Sequence, residues 1–258
     1  MKLYYSLLRA VVISFCVAGP IYAANQSLPI PQATNLPQKM GEINVISVRG
    51  AIHLTLQQTA DSSENFYKVM ENKKNVLVQM QNGTLYLSAG SNQADTLVTV
   101  GLYKLNKLLV SGGASVSSNQ LTSSELAINS DHGGDISLKG MIKLNQLIST
   151  GSGMINIQWV DSPRLYIEAG DASKIQLAGI ANMVQARLKD RSQFQGKYLR
   201  IGTIFIQTKD YATAKLLVND SLRAFAYNHS NIYYYKKPAE LTEHTEDSGN
   251  VLQLGWGQ

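Results

Sequence analysis

The chain has 258 residues, 44% of them apolar and only 16% charged, with a formal net charge of +5. That length bounds it to one sizeable core or two small ones. Lys and Arg are scattered, the longest basic runs being the pairs Lys73-Lys74 and Lys236-Lys237; so mild an excess without a cluster argues against nucleic acid as a partner.

Residues 1–24 read as an export address. Lys2 and Arg9 precede a short apolar stretch, Ala10 to Ala18, then Gly19-Pro20 and Ile21-Tyr22-Ala23-Ala24. Cleavage after Ala23 or Ala24 fits a secretory signal, and the run is too short to span a membrane comfortably. The mature chain is then expected to carry no transmembrane segment. The only Cys, Cys16, lies in this segment, and Phe15 before it is too large for a lipidation site. The mature chain would hold no disulfide and no thiol chemistry. Residues 25–40, with Pro29, Pro31 and Pro37 among Gln, Asn and Ser, read as an extended leader.

Residues 41–104 alternate apolar and polar positions without a long period. Ile43 to Leu56 breaks at Arg49-Gly50-Ala51, which resembles the corner phrase of the later repeat and makes Val48 to Leu56 a candidate start of the array. Tyr67 to Glu71, Asn75 to Gln81, Thr84 to Ser88 and Thr96 to Val100 read as strands, with Asn82-Gly83 as a hairpin turn. This part is expected to form an antiparallel cap, because an open solenoid end exposes unpaired strand edges.

From Leu105 to about Pro238 the chain repeats. The phrase Ser111-Gly112-Gly113-Ala114-Ser115-Val116 returns six times, its last position reading Val116, Ile136, Ile155, Ile175, Phe194, Ala214 and Ile232 at spacings of 20, 19, 20, 19, 20 and 18. The fourth position is always small: Ala114, Gly134, Gly153, Ser173, Ser192, Ala212, Ser230. Eight residues before the last position stand Leu108, Ile128, Leu147, Ile167, Ala186, Ile206 and Ala224. Apolar steps of two mean strands with one inward face, and the small polar hexad between them means a tight corner. Such a period predicts an all-β, right-handed parallel β-helix of about seven coils, roughly 30 Å long, over 105–258 with a C-terminal capping segment. Ile136, Ile155 and Ile175 should then form one buried column.

Three groups of residues carry a resemblance. They are Ile46-Ser47-Val48-Arg49-Gly50-Ala51-Ile52-His53-Leu54, then Asn82-Gly83-Thr84-Leu85-Tyr86-Leu87, then the corners ending in Ile232-Tyr233-Tyr234-Tyr235 with Pro238. In order and spacing they resemble the putative autotransporter adhesin head GIN domain family of bacteria, over roughly residues 42 to 254. The resemblance implies an exported β-helical domain of unassigned biochemical function, suspected of adhesion. Two later corners, Lys189-Asp190-Arg191-Ser192 and Lys209-Asp210-Tyr211-Ala212, depart from the family's Ser-Gly tendency. Nothing in the chain reads as a translocator barrel.

The search for chemistry is mostly negative. His53, His132, His229 and His244 are spread along the array, which leaves them as solvated or locally bonded side chains. Neither Ser192 nor Ser230 has an acid and a His placed by sequence to activate it. Two features stand out. Asp171, Asp190 and Asp210 hold the second corner position in three consecutive coils. Stacked, they lie roughly 5 Å apart, and either turn capping or a weakly bound Ca²⁺ would relieve their repulsion. No other cofactor is indicated. Tyr211, Tyr233 and Tyr235 beside Lys236 would face outward, as a platform for sugar rings or a partner protein or as a shield for the last coil, with Tyr234 in the core.

Three functions follow. The leading one is a non-catalytic, adhesin-like module in the periplasm or at the bacterial surface, recognising a glycan or a cell-surface protein. The second is a structural or envelope-assembly protein. The third is a polysaccharide lyase or hydrolase using Asp-held Ca²⁺ and a basic residue such as Arg187 or Arg191.

Overall fold

The computed structural model describes residues 36–90 and 94–255. The expected signal segment with Cys16, most of the leader, and Trp256 lie outside them. The described chain is all β apart from two short 3-10 turns, Ser62–Glu64 and Lys73–Asn75, and no helix among the described residues is long and apolar enough to cross a membrane. Its strands are β1 (Gln38–Lys39), β2 (Val45–Arg49), β3 (Ile52–Gln58), β4 (Phe66–Val69), β5 (Val76–Gln81), β6 (Thr84–Ala89), β7 (Thr96–Leu102), β8 (Lys107–Ser111) and β9 (Ser115–Ser118). They continue with β10 (Ser123–Asp131), β11 (Asp135–Ser149), β12 (Met154–Ala169), β13 (Lys174–Leu188), β14 (Gln193–Thr208), β15 (Thr213–Ala226), β16 (Asn231–Tyr234), β17 (Glu240–Thr245) and β18 (Asn250–Gln253).

From β8 onward every strand pairs in parallel with its copy one coil away, which makes a β-solenoid of about seven turns. The repeat's register is the register of the sheet. Val116, Ile136, Ile155, Ile175, Phe194, Ala214 and Ile232 are successive partners, and all are buried. Leu108, Ile128, Leu147, Ile167, Ala186, Ile206 and Ala224 form the matching upstream row. No coil buries its apolar edge alone, so these rows form one continuous core.

Residues 41–104 divide between the stack and its cover. Strands β2 and β3 flank a corner at Gly50 and pair in parallel with β8 and β9 on one side, and with β6 and β7 on the other. Space therefore reverses chain order here, with β6–β7 lying outside β2–β3. Among the described residues antiparallel pairing is confined to β1 on β4, β4 on β7 and β5 on β6. The β5–β6 hairpin turns on Asn82 and Gly83, both left-handed (φ +49° and +71°). The far end is closed differently. There β17 carries Glu243 in the row of Ala224, an inward-register charge on an edge strand, which discourages further pairing.

Each coil has two turning points. One is the tight corner of the repeat. The other is a bend inside the long strands, near Gly140, Trp159, Gly179 and Lys197, and all register shifts between long strands fall away from the corners.

Candidate functional site

At the corners the second position is left-handed in every coil from Gly112 onward: Gly112, His132, Gly151, Asp171, Asp190, Asp210, Asn228 and Asp247 all have φ between +54° and +88°. Asp and Asn are the non-glycine residues that tolerate this region best. The Asp171 carboxylate accepts from the Gly151 amide of the preceding coil (2.8 Å), Asp190 from the Asp171 amide (3.0 Å), and Asp210 from the Asn228 side chain (2.8 Å). The column is thus an inter-coil ladder, its bonds reaching the neighbouring corner rather than the residue's own. Among the described residues no three His, Cys, Asp or Glu side chains converge as a metal site would require.

The tyrosine set is not brought together as one platform. Tyr211 is 60% exposed and stacks on His229, with ring centroids 5.3 Å apart. Tyr233 is half-buried on β16, Tyr234 is core as its register requires, and Lys236 is exposed. Tyr235 corrects the expectation: it is only 4% exposed, with Lys197 Nζ 4.8 Å from its ring centre, and burial pushes its phenol up. Alternation holds only inside a strand, and β16 ends at Tyr234, so the next residue turns in with the chain.

The bends hold what the sequence reading missed. Between β12 and β13, Gln158 partners Ala178 and Val160 partners Gly179, which leaves Trp159 as an extra, unpaired residue. It is a β-bulge in left-handed conformation (φ +68°) with the indole 70% exposed. A bulky residue at positive φ is an outlier that costs about 1–2 kcal/mol. Bulges of this kind re-aim side chains. Alternation from Ile155 and Ile157 would have sent this indole into the core; the consecutive pair Trp159-Val160 was the available warning.

Trp159 stands in a groove of about 630 Å³ that crosses several coils. The row beneath runs Ser123, Ile142, Val160, Gly179, Leu199. One residue before this row stand Met141 and Trp159, the former 72% exposed. One residue after it stand Ser124, Lys143, Asp161, Ile180 and Arg200, Ile180 being the partner of both Asp161 and Arg200. Gly179 (φ +137°) is required by packing, since a Cβ there would collide with the Val160 carbonyl. Lys143, Asp161 and Arg200 are exposed and make no hydrogen bond or ion pair with any of the described residues. The groove therefore offers an indole face, thioether and aliphatic surface, two unspent cations and one unspent carboxylate.

The family model for the putative auto-transporter adhesin, head GIN domain, matches residues 42–238. The chain belongs to this family. No curated protein matches the chain. Crystal structures share its fold: a putative adhesin from Parabacteroides merdae (TM-score 0.75, 18% identity, covering 85% of this chain and 95% of that one). A putative adhesin from Parabacteroides distasonis is similar (0.76, 17%, 86% and 96%). So is a putative lipid binding protein from the same species (0.73, 15%, 85% and 95%). At such identities the likeness is one of fold.

Within this GIN-domain fold, one further constellation appears that sequence distance had hidden. His53 on β3 bonds the Ser115 hydroxyl through Nδ1 (2.5 Å) and pairs Asp95 through Nε2 (3.0 Å). It has the order of an acid–base–nucleophile relay. The rung beside Ser115 holds the Asp135 carboxylate, so an oxyanion forming there would meet a like charge. Both acid and His are about half exposed or more, which leaves the relay in high dielectric. Ser192 and Ser230 are fully buried and donate to the Lys189 and Tyr227 carbonyls (2.7 and 2.8 Å). His132 and His244 pair locally with Asp131 and Glu246.

Proposed function

We propose that this chain is an exported, non-catalytic binding domain of adhesin type, and that its ligand, a surface glycan, is held in the groove at the bends. The observation that carries this reading is Trp159, an exposed indole kept at a left-handed bulge in a groove with unpartnered polar side chains. Strain retained where packing does not need it marks function, and an indole face suits the apolar face of a sugar ring. The test is a glycan array probed with wild type and Trp159→Ala. Loss of the bound set at unchanged melting temperature supports the reading; unchanged binding removes the groove from it.

A lipid is the second reading, favoured by Met141 and Ile180 in the lining. The walls weigh against it, because Met141 and Trp159 are more than two-thirds exposed and cannot enclose an acyl chain. Vesicle flotation separates the two. The Asp171, Asp190 and Asp210 column is assigned to corner capping. Its melting temperature is then indifferent to calcium, whereas a rise at micromolar calcium lost in Asp190→Asn would restore the cation reading.

A further inference from the structure

We infer that the groove at the bends selects an acidic saccharide, one whose ring carries a carboxylate or sulfate; this rests on the reading of the groove as a glycan site and adds the ligand's charge. The argument is one of charge placement. Lys143 and Arg200 belong to coils on either side of the Val160–Gly179 rungs, one residue after the same buried row, so both flank the strip that Trp159 overlooks. Neither cation has a partner among the described residues, although Asp161 stands in the same lining. A guanidinium and an ammonium left without counter-charge favour an anion, and Arg binds a carboxylate with two parallel hydrogen bonds. A neutral sugar would use the indole and leave both cations unspent. Asp161 faces the neutral hydroxyls, whose donors it can accept, and lowers the affinity for the anion.

The spacing supports a chain rather than a lone ring. Successive coils repeat every ~4.8 Å, so the strip from Lys143 to Arg200 spans three inter-coil steps, roughly 14 Å. That is room for more than one sugar unit. Strands β11 to β14 are each paired on both sides, so a peptide lying along them has no continuous backbone ladder to join.

The experiment titrates the intact mature chain, in a Trp256→Phe background that leaves Trp159 the only indole, with oligogalacturonate and with neutral galacto-oligosaccharide of equal length. The inference expects indole quenching by the uronate at least tenfold tighter than by the neutral chain. Arg200→Gln and Lys143→Gln should each weaken only the uronate, by about tenfold, and Asp161→Asn should tighten it a few-fold. Added salt should weaken the uronate alone. Equal affinity for both chains, or charge variants without effect, overturns the acidic selection and leaves the glycan site standing. Failure of both chains to quench, or uronate binding that survives in Trp159→Ala as measured by calorimetry, overturns the inference and the groove reading together. Melting curves of each variant exclude unfolding as the cause, and these side chains, being exposed and unpartnered, should not shift them.

Discussion

The two turning points of each coil solve one geometric problem by opposite means. At the corners, left-handed positions recur coil after coil and are filled by Gly, Asp, Asn or His, and the Asp171, Asp190 and Asp210 carboxylates accept from a neighbouring corner. At the bends, residues are inserted unevenly. Met141 and Trp159 emerge where strands slip past one another, and their neighbours' polar groups stay unpaired. The corner is a structural device repeated at low cost. The bend varies on its outer side, where Met141, Trp159 and Ile180 face solvent above the buried row of Ile142, Val160 and Leu199. A regular edge that satisfies itself has nothing left for a ligand; an irregular edge does.

The largest test strikes the core that both edges share. Ile155 is fully buried between Ile136 and Ile175. Ile155→Asp should abolish cooperative folding, since a buried unpaired charge costs several kcal/mol against a total of about 5–15; a soluble, cooperatively melting variant would mean that the rows are misassigned. Next comes a direct contrast of the edges. Gly179→Ala forces a Cβ into the Val160 carbonyl at φ +137° and should lose about 3 kcal/mol or more. Asp190→Gly relieves a left-handed residue while losing one inter-coil bond, so denaturant melts should place it within about 1 kcal/mol of wild type. Similar losses at both would erase the distinction between the edges.

Trp159→Gly should separate stability from function. Releasing the bulge from its left-handed strain is expected to stabilise the fold by about 1 kcal/mol, because little of the indole is buried, while glycan binding is lost. A destabilised variant would show that the indole is there for packing. The smallest effect concerns the corner at Asp131. Its carboxyl is held below the usual range, first by the Thr150 hydroxyl (2.7 Å) and then by His132. A lowered carboxyl pKa gives stability that is complete above the ordinary carboxylate range and fades as pH falls through the lowered value. Thr150→Val should therefore melt slightly below wild type at pH 7, by less than about 0.5 kcal/mol, and the two curves should converge in acid once the Asp131 carboxyl is protonated in both. A gap that widens in acid would contradict the assignment.

The array was legible because a solenoid writes its register into the chain. Inward rows demand Ile, Leu or Val at fixed intervals, and corners demand small or left-handed-tolerant residues, so Ile136, Ile155 and Ile175 announced themselves as a column. In residues 41–104 the strands and the corner at Gly50 were legible, but the order of the rungs was not. The placement of β6–β7 outside β2–β3 is a choice among pairings of similar local pattern, and only contacts distant in sequence decide it. Tyr235 was misread because the end of β16 sets where alternation stops.

The sequence by itself determined the period, the inward rows, the corner chemistry and the family resemblance, since each is a local requirement repeated many times. Only the tertiary structure decided where the period is broken to effect. A bulge is defined by the strand beside it: Trp159 is an extra residue solely because Gln158 and Val160 align with the adjacent residues Ala178 and Gly179. The same holds for Lys143, Asp161 and Arg200, which meet along one groove because coils stack in register, and for Asp95, His53 and Ser115, which meet because two strands far apart in the chain lie side by side.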